Sequence, residues 1–148
     1  MINRTWTIFE KILAVGEIVL AGLTIFFSDY IAERSYPIRQ ILSDINVFIL
    51  HLLFLTGGAL LFFSKKTGWI ISVTMWFLFL IGFNIFTLSN GEINWAALIS
   101  FSTISIVFLV FMLQKPFLEK YRISKKDWLI IAGMVPVIII VACWHHLF

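Results

Sequence analysis

Charge is the scarcest ingredient of this chain. Asp, Glu, Lys and Arg make up 13% of its 148 residues, about half the share of an ordinary soluble domain. A single cysteine, Cys143, excludes an internal disulfide and a dithiol relay. Disulfide-stapled secreted scaffolds and paired-cysteine oxidoreductases are therefore set aside. HExxH, GxSxG, a phosphate-cradling glycine loop and a pair of aspartates within an apolar run are all missing. Intramembrane proteolysis and ATP hydrolysis lose their usual residues, and no catalytic constellation takes their place.

What the chain has instead is apolar bulk. It is 61% hydrophobic and 17% aromatic, with a mean hydropathy of +1.01. So small a globule cannot bury that much, because most of its residues would touch water. The expectation is an all-α polytopic membrane bundle, a single transmembrane domain with no soluble domain and no nucleic-acid partner. Apolar runs at 6–27, 45–63, 69–88, 95–113 and 128–148 are each close to the roughly 20 helical residues that cross a bilayer core. None alternates like a barrel strand.

The basic residues set a direction for those five spans. With a cytoplasmic N-terminus, Arg4, Lys11, Lys65, Lys66, Lys115, Lys120, Arg122, Lys125 and Lys126 lie inside, nine of eleven, and only Arg34 and Arg39 lie outside. That is a positive-inside pattern with the C-terminus out. Trp6, Trp69, Trp128, Trp95 and Trp144 fall at the expected borders, and Trp76 alone falls within a run. The first run continues past Ala21 to Phe27, longer than a signal-peptide core, so it is read as retained. The expected location is a bacterial inner membrane, with membrane lipid as one partner.

Two linking segments have the composition of short interfacial helices, around residues 36–42 and 115–127. The second reads KPFLEKYRISKKD, and Pro116 suits a helix start. It is also what an ordinary cytoplasmic loop looks like.

Polar residues within apolar runs are where function is sought. Glu17 lies 11 residues from both Trp6 and Ser28, about 16 Å from either end at helical rise. It belongs to a 4-3 series of polar or small residues: Asn3, Thr7, Glu10, Ala14, Glu17, Ala21, Thr24 and Ser28. These share one face of a helix. His51 has a similar expected depth, so the two could share a proton as a relay or a pH-sensitive gate. The bland alternative is one buried hydrogen bond that fixes helix packing. Asn84, Thr87, Ser100, Ser102, Thr103 and Ser105 extend the polar set toward the outer side.

Gly57 and Gly58 would admit a second helix closely. Ala14, Ala21 and Thr24 supply small surfaces for such packing, and Pro136 should kink the last helix. A b-type haem held by His51 and either His145 or His146 is a remote cofactor option. Three functions are weighed. The first is an oligomeric channel- or transporter-like subunit with a proton- or cation-sensitive path around Glu17, His51, Asn84, Ser102 and Ser105. The second is a non-enzymatic accessory or scaffold subunit that docks on a larger membrane complex, with the Glu17 seam as its docking surface. The expected protein partner is another copy of the chain or a membrane partner protein. The third and weakest is an intramembrane enzyme acting on lipid or quinone.

Overall fold

The computed structural model describes residues 4–31, 45–89 and 95–147, with the side chains of 5–23, 49–82, 84–85, 95–96 and 98–140. The described residues form six helices: α1 (Arg4–Ile31), α2 (Ile45–Phe62), α3 (Lys66–Ser89), α4 (Trp95–Met112), α5 (Lys115–Lys120) and α6 (Lys125–Leu147). The segment around residues 36–42 lies outside the described residues.

The five-span expectation is corrected here. Among the described residues, no helix is long and apolar enough to cross a membrane. Within its apolar run α1 carries Glu10, Lys11 and Glu17. The N-in, C-out topology, the multi-pass inner-membrane location and the transport role built on them fall with the spans. Among the described residues the all-helical character remains, and so does an apolar exterior: twenty-one large hydrophobic side chains are exposed. Single exposed apolar residues need no explanation, whereas contiguous apolar surface marks a contact.

The chain divides into two compact units, with the boundary inside α3 after Ile71. In the first unit α2 lies against α1 at Gly58. A Cβ built there would stand 2.9 Å from Ile18 Cγ1, 3.1 Å from the Ala14 carbonyl oxygen and 3.4 Å from Glu17 Cβ. Beyond the end of α2, Ser64 reaches Glu10. As α2 advances from residue 58 to 64, α1 recedes from 17 to 10, so the pair is antiparallel.

The turn from α2 into α3 is a Schellman motif. Ser64 sits at φ 54°, its N–H donates to the Leu61 carbonyl, and the Lys65 N–H donates to the Leu60 carbonyl. Gly68 makes the fold-back possible, because a Cβ there would overlap the backbone of Leu60 and Leu61.

The second unit begins at Ser72. Trp76 of α3 stacks on Phe108 of α4 with centroids 4.2 Å apart. Leu109, Met112, Phe117, Tyr121 and Ile131 are buried in the same unit. The α5 helix carries proline in its first turn and ends in a second Schellman motif. Arg122 there has φ 49°, with N–H bonds from Arg122 to Glu119 and from Ile123 to Leu118. The last helix is capped by Ser124 and Asp127. The Asp127 carboxylate accepts from the Ser124 backbone N–H at 2.6 Å and from its hydroxyl at 2.7 Å. Pro136 lies inside α6 with its ring exposed.

Candidate functional site

The seam on α1 is the clearest grouping in the first unit. Glu10, Ala14, Glu17 and Ala21 are each completely buried, and Thr7 is half-buried. Their spacing of four, three and four residues keeps them on one side of the helix, and that side meets α2. Gly58 is the reason this contact is close. Its missing side chain lets the α2 backbone sit on Ala14 and Glu17. Gly57 beside it is also buried. The side chain of Thr24, the next member of the seam, lies outside the described residues.

At the end of the seam stands a small polar cluster. The Ser64 hydroxyl donates to Glu10 Oε2 at 3.3 Å. The neighbouring Lys11 turns outward and holds its Nζ 5.1 Å from the centroid of the Phe62 ring, within cation–π range. The cluster thus combines a buried carboxylate, an exposed hydroxyl and an exposed ammonium. Such a set can anchor one end of a helix pair.

His51 is half-buried on α2, seven residues before Gly58 and hence about 10 Å from it along the helix axis. Asn84, Ser102 and Ser105 belong to the second unit. There Asn84 Nδ2 donates to Ser102 Oγ at 3.0 Å, and the Ser102 hydroxyl is 3.2 Å from Asn84 Oδ1. Asn84 also bonds the Leu80 carbonyl of its own helix. Ser105 is buried, one turn beyond Ser102 on α4. Ser100 and Thr103 are exposed. The side chains of Thr87, Cys143, His145 and His146 lie outside the described residues. Among the described residues there is no group of three or more His, Cys, Asp or Glu side chains that could hold a metal ion.

Glu10, named in the sequence only as a member of the seam, is as buried as Glu17. Two further features were not singled out from the sequence. Ser124 and Asp127 form a Ser-x-x-Asp start signal of the capping-box type, legible without a structure. Ser72 and Thr74 are buried within an otherwise apolar stretch. No protein-family model, no curated protein and no solved structure matches the chain.

Proposed function

We propose that the protein is a non-enzymatic scaffold subunit that assembles with copies of itself through the outward face of α1. The observation that carries this reading is the inverted polarity of that helix. Its carboxylates and small residues face α2, while Ile8, Ile12, Val15, Val19 and Leu23 are 45–59% exposed. These five follow one another at four, three, four and four residues, a continuous apolar ridge of near-heptad spacing. An identical ridge on a second copy fits it, because the same 4-3 spacing supplies both knobs and holes. A path across a membrane around Glu17 and His51 presupposes spanning helices. Assembly through the ridge does not.

The test is the mass of the purified full-length chain by light scattering in mild detergent, joined with cross-linking in cells. A single defined oligomer is expected. The double substitution Ile12→Glu and Val19→Glu should dissociate it while helical content by circular dichroism is kept. The milder Val15→Ser serves if the double variant does not fold, and should raise the dissociation constant. A monomer at all concentrations refutes the proposal, as does an oligomer indifferent to all three positions or an assembly held together only by bound lipid.

A further inference from the structure

The segment from Lys115 to Lys126 carries five basic residues and one acidic one, Glu119. Its net charge of +4 (five minus one) exceeds the +3 of the whole chain. An amphipathic helix lying on a lipid surface would turn its aromatic side outward. The structure has the opposite arrangement. Phe117 and Tyr121 are buried, while Lys115, Arg122, Lys125 and Lys126 are exposed. The aromatic pair therefore anchors the segment to its own unit and leaves the cations on the outer surface. The backbone there is held by the Arg122 Schellman turn and by the Ser124–Asp127 cap, so the cations stand on an ordered support.

Two further facts distinguish this surface from an ordinary solvated one. Lys125 and Lys126 occupy the first turn of α6, the positive end of the helix dipole, where cations are disfavoured. Neither has an acidic partner among the described residues. Beyond Asp127, which is buried, Trp128, Leu129 and Ile130 are exposed, Leu129 at 71%. Cations bordered by exposed apolar side chains match the boundary between lipid headgroups and acyl chains. Nucleic acid would meet the cations but has no use for Leu129 and Ile130.

We infer that the surface formed by α5 and the first turns of α6 docks on anionic lipid headgroups, with Arg122, Lys125 and Lys126 contacting the headgroups and Leu129 and Ile130 the shallow acyl region. The inference is independent of the α1 ridge.

Flotation of the full-length chain with two kinds of vesicle tests it: phosphatidylcholine alone, and phosphatidylcholine with about one-third phosphatidylserine. The anionic vesicles should be preferred at 0.1 M salt, and the preference should shrink at 0.5 M as screening shortens. Each cation removed near the surface should weaken binding about fivefold. Lys125→Gln with Lys126→Gln should thus lower anionic-vesicle binding by roughly thirtyfold and leave neutral-vesicle binding unchanged. The Lys125→Arg and Lys126→Arg pair should bind like the unmodified protein. Equal binding to both vesicles overturns the inference, as does a preference that survives the glutamine pair. Displacement by inorganic phosphate or by RNA at matched ionic strength also overturns it, by assigning the surface to a different anion.

Discussion

Five of the helical glycines provide a stringent test of the packing. A Cβ added at Gly22, Gly82 or Gly133 meets nothing within 4 Å. Alanine at those positions should act through backbone propensity alone and stabilise by about 0.8–1 kcal/mol. Gly58 differs. Its added Cβ would press on Ile18 Cγ1 at 2.9 Å and on the Ala14 carbonyl oxygen at 3.1 Å. The Ile18 side chain can swing aside, but the Ala14 carbonyl belongs to the α1 backbone and moves only with the helix. Overpacking of this kind costs about 1–3 kcal/mol. After the propensity gain of about 1 kcal/mol is subtracted, Gly58→Ala should lose about 0–2 kcal/mol.

The difference between Gly58→Ala and Gly22→Ala is then about 2 kcal/mol, or roughly 4–8 °C in Tm for a chain of this size. Thermal unfolding followed by circular dichroism, with all variants in one buffer, measures it. Gly68→Ala should be the most damaging of the series, because the atoms in its way are backbone atoms of Leu60 and Leu61. Equal Tm values for Gly58→Ala and Gly22→Ala would refute the close contact between α1 and α2, and with it the burial of the Glu17 seam.

Other perturbations probe single interactions. Asp127→Ala removes the acceptor of two Ser124 bonds and should cost about 0.5–2 kcal/mol in chemical denaturation. Arg122→Gly relieves a left-handed residue and should stabilise by about 1 kcal/mol, read as a rise in denaturation midpoint. Ser64→Gly relieves the same backbone conformation but loses the bond to Glu10, so the two contributions of about 1 kcal/mol each should nearly cancel. A double-mutant cycle between Asn84→Ala and Ser102→Ala should return a coupling of about 0.5–1.5 kcal/mol, and a coupling near zero would remove that bond from the account.

Much of the helical framework was visible as apolar runs, because side-chain hydropathy and helix length report the same segments. The run at 45–63 corresponds to α2 at Ile45–Phe62, and the run at 95–113 to α4 at Trp95–Met112. The larger discrepancies fall at helix ends: the first run stops at residue 27 where α1 continues to Ile31, and the run at 69–88 starts three residues inside α3. The last run was read from Trp128, yet α6 begins at Lys125, since a polar Ser124–Asp127 cap rather than hydropathy decides where that helix begins. The 4-3 seam on α1 was also legible, because a face is a matter of spacing. What covers that face was not, because a spacing says nothing of the neighbour. Gly58 marks the place only when its missing Cβ is seen against Ala14.

The inversion of α1 has a consequence for how the two carboxylates should be weighed. A helix at a water-facing surface ordinarily buries its apolar stripe and exposes its charges. Here Glu10 and Glu17 are buried while Ile12 and Val19, two residues away from each, are exposed. Rotating the helix by half a turn would restore the ordinary arrangement, so the choice must be made by what the outer face meets. The inward face has one strong reason for its place: among its described, fully buried residues Ala14 and Ala21 are thin, and Gly58 sits directly on Ala14. The two glutamates occupy that face because they share its register. Covering the outward ridge would offset part of the cost of burying them. At about 25 cal/mol per Å² of apolar area, covering several half-exposed Ile, Val and Leu side chains contributes several kcal/mol per copy, comparable with the desolvation cost of a buried carboxylate. The polarity of α1 therefore makes physical sense for a helix with an apolar neighbour on its outer side, and the helix pair alone does not supply that neighbour.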